Sequence, residues 1–313
     1  MRLTFLPTLL PLLLLNCSSS PSETASLPSS FVPTPEFSTY WQQGKAELSS
    51  YTLEQARYGE IHQGEAVLVF VTEDVSRSKQ VKLDNPSAAP QDAVPVLKLN
   101  LNKKFNTGIY PYSILTSVFT PLDGRLNTLK VTSSVQEWCG HAFTQLNLRP
   151  KSYALSQKSY FESEGDVEAK LALAPLEDGL WNRIRLDPAT LPLGAQQLIP
   201  STVYCRLAHQ PLRPEAATLT LTDAPAGKFG PAPASAYTIA YPAPVDRTLV
   251  IYFTKAFPYS ILGWEETYAD RAGAAQAVRL TTRGTRRKTI LLDYWRTHHN
   301  ADLHWRDSLG LSR

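Results

Sequence analysis

Apolar residues recur mostly at every second position along this chain, the spacing of strands that cover one face. Residues 96–101 (V-L-K-L-N-L), 128–135 and 169–174 alternate in this way. Residues 66–72 (A-V-L-V-F-V-T) instead form a short, apolar, β-branched run, as a buried strand requires. Residues 44–58 predict a long strand, which turns at His62-Gln63-Gly64 and pairs with that run. Asp123-Gly124 and Glu164-Gly165-Asp166 read as hairpin turns. Further strands are predicted over 202–208, 217–222, 248–254 and 278–282, and Arg283-Gly284 would turn the last of these back into 286–292.

Helical spacing is scarce. Residues 175–185 open on Pro175, carry Glu177 and Asp178 in the first turn, and set Leu176, Leu180, Trp181 and Ile184 on one face. A thinner stripe of Trp295, Leu303 and Leu309 predicts a second helix within 293–309. The Pro-rich stretches 85–95 and 224–244 read as exposed connections. The fold class that follows is mainly β: antiparallel curved sheets or half-barrels with one or two short helices.

A short repeat supports duplication within that fold. Tyr110-Pro111-Tyr112-Ser113-Ile114-Leu115 returns as Phe257-Pro258-Tyr259-Ser260-Ile261-Leu262, identical from Pro to Leu. Each copy follows a Lys-containing strand and precedes another β run. The structural reading is a duplicated antiparallel unit in which aromatic-Pro opens a strand and Tyr packs inward; the functional one is a pair of equivalent ligand-contacting loops.

The N-terminus changes the picture from fold to location. Arg2 precedes an apolar run from Leu3 to Leu15, which is too short to span about 30 Å of hydrocarbon and suits a signal-peptide core. It ends in Leu14-Leu15-Asn16-Cys17, which resembles a bacterial lipobox, although Asn16 stands where Gly, Ala or Ser is usual. The resemblance implies that Cys17 becomes the first mature residue and carries lipid. Residues 18–36 are Ser/Pro/Thr-rich, without hydrophobic period, and read as a tether of roughly 24 Å mean span. Ser18 after the Cys points, by analogy, to the outer membrane, with the leaflet face open. The organisation predicted is thus 1–17 signal and lipobox, 18–36 tether, 37–223 a first β-rich lobe, and 224–313 a second with the C-terminal helix, or one continuous domain.

The net charge of +3 argues against nucleic acid as a partner. With lipid on Cys17, Cys139 and Cys205 remain, and an oxidising compartment allows them to pair or to stay separate buried thiols. Glu137-Trp138-Cys139-Gly140-His141 also allows a Cys–His nucleophile with Glu137 orienting it, or, with Cys205 and His209, a weak zinc pattern. Glu162, Glu164 and Asp166 cluster carboxylates at a turn, where they could serve glycoside hydrolysis or calcium binding, and Glu265-Glu266 is a second acidic pair; either could instead be solvated charge. Arg279, Arg283, Arg286, Arg287 and Lys288 concentrate positive charge on one predicted hairpin, suited to lipid or lipopolysaccharide phosphates, or to a solvated, aggregation-resistant edge. His298, His299 and His304 do not share a helical face, so no metal site is predicted there. No phosphate loop, G-x-S-x-G or H-E-x-x-H motif occurs, and no cofactor is implied.

Residues 51–72, 137–147 (E-W-C-G-H-A-F-T-Q-L-N) and 176–185 (L-E-D-G-L-W-N-R-I-R) resemble a family of uncharacterised bacterial lipoproteins, some labelled "septum formation inhibitor Maf". The resemblance covers most of the mature chain and carries no catalytic residues. The Maf label implies a cytosolic nucleotide pyrophosphatase, which an exported, lipidated, β-rich chain does not fit. The reading is a membrane-anchored envelope lipoprotein with a non-enzymatic binding or assembly role, its concave β surface receiving lipid, glycan or protein. The alternatives are an envelope hydrolase using Cys139/His141 or the 162–166 cluster, and a structural subunit of an outer-membrane complex.

Overall fold

The computed structural model describes residues 31–123, 127–270 and 277–312. Helix α1 (Pro35–Trp41) leads into β1 (Ala46–Arg57), β2 (Glu60–Ser76), β3 (Ala93–Thr107), β4 (Tyr110–Pro121), β5 (Lys130–Glu137), β6 (Gly140–Arg149), β7 (Ser152–Lys158) and β8 (Val167–Ala172). Then come α2 (Glu177–Leu186), β9 (Gly194–Leu198), α3 (Thr202–Leu207), β10 (Glu215–Asp223), β11 (Ala234–Tyr241), β12 (Arg247–Thr254), β13 (Ile261–Asp270), β14 (Val278–Leu292) and α4 (His304–Leu309). Among the described residues all 14 strands form one antiparallel sheet, in the order β8 to β1, then β14 to β9. The mainly β, antiparallel class read from the alternation is the class observed.

The chain starts in the middle of this sheet, winds out to one edge, crosses by α2, and winds back from the other edge until β14 pairs with β1. The boundary predicted between 223 and 224 therefore falls inside the β10–β11 hairpin, and two lobes give way to one continuous sheet. The edges β8 and β9 do not pair; a parallel bridge between Leu176 and Ile199 ties the roll together beside them.

The inward face of the sheet is one large core. Tyr51, Leu68, Leu99, Ile114, Ile251 and Trp264 meet Leu180, Trp181 and Ile184 of α2 and Val203 and Tyr204 of α3 in a single buried cluster. All ten residues of α2 are buried, so the helix fills the roll instead of lying on it. Gly179 allows this approach, since a Cβ there would stand 2.0 Å from the Thr128 hydroxyl. The concave surface expected to receive a ligand is occupied by the protein's own helices.

Several local predictions change. The predicted strand 202–208 is instead helix α3 with its cap Ala208, because Asp178 at the start of α2 accepts from Thr202 N (3.0 Å) and Oγ1 (2.8 Å) and so starts α3 inside the roll. The first hairpin turns at Tyr58-Gly59, and Gly64 lies within β2. Arg283-Gly284 is no turn: β14 runs through it, and Gly284 leaves room for the Trp264 ring, whose atoms would lie 2.3–2.4 Å from a Cβ. The stretch 293–309 holds two 3₁₀ turns and only the short α4. The tether ends earlier than residue 36: Phe31 is buried in the core and Thr34 caps α1, accepting from Phe37 N (3.1 Å). The repeat copies share a buried isoleucine, Ile114 and Ile261, but the first lies within β4, whereas the second spans a turn before β13.

Candidate functional site

Four charged side chains enter the core with α2, and burial requires each to be matched. Arg185 donates to both oxygens of Glu47 on β1 (2.6 and 2.7 Å) and to Pro258 O (2.9 Å), and Tyr40 donates to the same carboxylate (2.5 Å). Burial alone would raise the Glu47 carboxyl; the Arg185 guanidinium and the Tyr40 hydroxyl outweigh it and hold Glu47 below the usual range. Higher in the roll, Arg247 donates to both oxygens of Glu177 (2.6 Å each) and to Glu266 (2.8 Å), and Tyr241 donates to Glu177 (2.7 Å). Around this network lies a cavity of only about 40 Å³, also lined by Lys103, Asp178 and Trp264. Burial lowers the Lys103 ammonium and raises the Asp178 carboxyl. That volume takes about one or two waters, so this interior is a structural device and not a ligand pocket.

The roomier site is on the outside. The outward faces of β1, β2 and β14 carry a second apolar cluster of Leu48, Val69, Val71 and Leu292, and the C-terminal segment folds back over it with Leu309. The segment is latched at its end, since Ser312 donates to Glu65 from N (3.2 Å) and Oγ (3.0 Å), and Arg306 reaches the same carboxylate at 3.6 Å. Between segment and sheet runs a groove of about 510 Å³. Its floor is Leu48, Val67 and Leu292; its other wall holds Leu303, Trp305 and Leu311. Lys104, His298 and His299 stand at its rim. Lys104 is exposed and has no ion-pair partner among the described residues. His298 donates from Nδ1 to Trp295 O (3.1 Å), which leaves Nε2 for another group.

The residues singled out in sequence are dispersed. Cys17 lies outside the described residues. Cys139 is exposed on the β5–β6 turn and Cys205 is buried in α3; both thiols are free, so the disulfide is not formed. Glu137 accepts from Cys139 N (2.6 Å), and its hydrogen bond and charge push the Cys139 thiol up, the reverse of what a nucleophile needs. Burial pushes Cys205 up strongly. His141, on β6, is exposed and has no hydrogen-bond partner among the described residues. Glu164 of the acidic turn is engaged by His209 Nδ1 (2.6 Å) and Arg206 (3.1 Å), whereas Glu162 is exposed. Among the described residues no group of three or more His, Cys, Asp or Glu could hold a metal.

The basic cluster is one long strand and not a hairpin. Arg279 donates to Asp246 (2.6 Å) and Arg283 meets Glu265 (3.4 Å), so part of its charge is already answered. A bulge opposite Ser50 and Tyr51 pairs Arg286 with core-facing Tyr51, and Arg286 adds to the positive field that lowers Glu47. Arg287 packs beside Gly310. Glu266 of the second acidic pair is buried on Arg247, and Glu265 lies 2.9 Å from Lys228.

Sequence reasoning missed the groove. One signal was available: residues 66–71 are apolar at every position, and a strand apolar on both faces is covered on both faces.

No family model matches this chain, and no curated protein matches it. Among solved structures, the chain is similar to a crystal structure described as a beta-barrel-like protein of domain of unknown function DUF1849 from Brucella abortus. The TM-score is 0.45 and the identity 12%, over 79% of this chain and 97% of that one.

Proposed function

We propose that this protein is an envelope lipoprotein, tethered through Cys17, whose roll binds an amphipathic lipid in the groove beneath its C-terminal segment. The single observation that carries the reading is the groove itself. At about 510 Å³ it lies within the range of small-molecule sites, with an apolar floor and the Lys104 ammonium at one rim. An acyl chain suits Leu48, Val67, Leu292 and Trp305; a phosphate or carboxylate head suits Lys104, with His298 Nε2 beside it. The filled interior favours this outer site over a lumenal one. The role proposed is binding without turnover.

The anchor supports the same reading. Acyl chains on Cys17 would hold the roll at a bilayer, each buried CH₂ contributing about 0.8 kcal/mol, and a short tether would keep the groove close to its lipid source. Ser18 favours the outer membrane.

The test has two arms. For the anchor, Cys17→Ser should move the protein from the membrane to the soluble fraction, and mass spectrometry of the wild-type N-terminus should find an acylated cysteine. For the groove, an anthroyloxy-labelled stearate is titrated into the folded body. Val67→Trp should weaken binding at least tenfold by filling the floor, and Lys104→Glu by about twofold to fivefold, the size of one exposed charge contact. Unchanged binding in both variants, with the fold intact, would refute the groove.

A further inference from the structure

The sheet has two end strands, β8 and β9. β8 borders a cavity of about 380 Å³, walled on the far side by Cys205 and Arg206 of α3 and by His209 and Leu212 of the segment that follows. Val167, Ala169 and Leu171, the alternate residues of β8, line it from the near side.

Main-chain hydrogen bonds close one end of the seam between the edges. Glu177 N donates to Ile199 O (2.9 Å) and Ile199 N to Pro175 O (2.9 Å), next to the Leu176–Ile199 bridge. Above that closure, β8 pairs with β7 from Gln157↔Val167 to Ser152↔Ala172. An antiparallel ladder uses the N–H and C=O groups of alternate residues, so those of the other residues of β8 point away from β7. Among the described residues nothing accepts from or donates to them. The far wall is braced: Arg206 lies over the Phe161 ring at 4.3 Å, and Glu164 holds both Arg206 and His209.

We infer that the β8 edge takes an extended peptide from another protein as an added strand, with its apolar side chains, every second one, in the cavity. An unpaired strand edge supplies main-chain hydrogen bonds, and a pocket along its inward face supplies side-chain selection; together these are the two halves of strand addition. The outward residues Glu168 and Lys170 are exposed, and Lys158 joins Glu168 (3.2 Å) and Asp166 (3.6 Å), so the alternate positions of the peptide are polar. Residues 209–212 of the same chain line the cavity opposite β8, so an added strand would lie between two walls of one molecule.

The experiment uses fluorescein-labelled octapeptides with Val or Leu at alternate positions and Thr or Lys between, read by anisotropy against the mature chain. Binding is expected, with slowed hydrogen exchange at the β8 amides. N-methylation of the peptide at one alternation should cut affinity at least tenfold, and at the other should not, because only one set of N–H groups faces β8. Ala169→Trp, which fills the cavity, should abolish binding, while Gln196→Trp on β9 should leave it unchanged; circular dichroism establishes that both fold. Failure of every peptide to bind, equal loss from both N-methylated series, or unchanged binding by a folded Ala169→Trp overturns the inference. Concentration-dependent doubling of mass through β8 without peptide overturns it in favour of self-association. The labelled stearate binding tested in the groove is independent of all these outcomes.

Discussion

Arg185→Met isolates the energetics of the buried charges. The wild-type pair is inaccessible, with side-chain exposures of 0% and 1%, and doubly hydrogen-bonded. Methionine keeps most of the volume of Arg185 and its packing against Trp41 and Phe70, over whose rings the guanidinium lies at 4.9 and 4.6 Å. It leaves the Glu47 carboxylate in the core with Tyr40 as its remaining direct partner. Breaking a buried pair from one side costs about 3–5 kcal/mol, most of it the stranded charge. For a domain of this size each kcal/mol lowers the melting temperature by about 2–4 °C, so a fall of roughly 6–20 °C is expected.

The double variant Glu47→Leu/Arg185→Met removes the stranded charge and should recover most of that loss, as apolar replacement of buried pairs can. The pH dependence carries the same signature. Wild-type Glu47 has a folded pKa below its unfolded value. Its contribution is therefore complete above the unfolded pKa of about 4.3 and is lost as pH falls through the lower folded value. In Arg185→Met burial dominates and the folded pKa rises, so the carboxyl takes a proton on mild acidification. The gap between wild type and variant should narrow as pH falls from 7 to 5. Urea unfolding followed by tryptophan fluorescence measures wild type, Arg185→Met and the double variant at both pH values. A single-variant loss under about 1 kcal/mol, or a double variant no better than Arg185→Met, would refute the account of the core as resting on matched charges.

Other consequences are open to simpler measurement. Iodoacetamide should label Cys139 slowly for an exposed thiol and leave Cys205 untouched in the folded state; Glu137→Gln should speed Cys139 severalfold, followed by intact mass. Gly284→Val drives a side chain into the Trp264 ring and should cost about 1–3 kcal/mol, with a changed near-ultraviolet spectrum. Lys103→Met should leave the protein as stable or more stable at pH 7. Burial lowers the folded pKa of Lys103 below 10.5, even with Glu266 nearby, so the unfolded chain binds that proton more tightly. Wild-type stability should rise with pH across the window just below that value, and the rise should flatten in the variant.

Period-two alternation and the apolar stripe of 175–185 were enough to give the antiparallel class, about half of the strands and the buried helix, because both reflect local geometry meeting a covered face; the stretch 224–244, read as an exposed connection, instead contains β11 with Tyr237 and Ile239 buried. They could not say which face had two covers. Residues 202–208 (T-V-Y-C-R-L-A) read as β-branched and aromatic, yet they form helix α3 and its cap Ala208, because Asp178 and the space inside the roll reward a helix there; propensity is a weaker force than a capped start and a fitted core. Gly284 looks like a turn residue and is instead the gap a tryptophan fills from the neighbouring strand. The pairing of Glu47 with Arg185, 138 positions apart, leaves no mark in either neighbourhood. The groove is assembled from strands near the start of the chain and a segment at its end, so only closure of β14 against β1 creates it. What the sequence determined by itself was the local periodicity; which charges meet, which edge stays open and where a ligand could rest were decided by contacts between residues far apart in the chain.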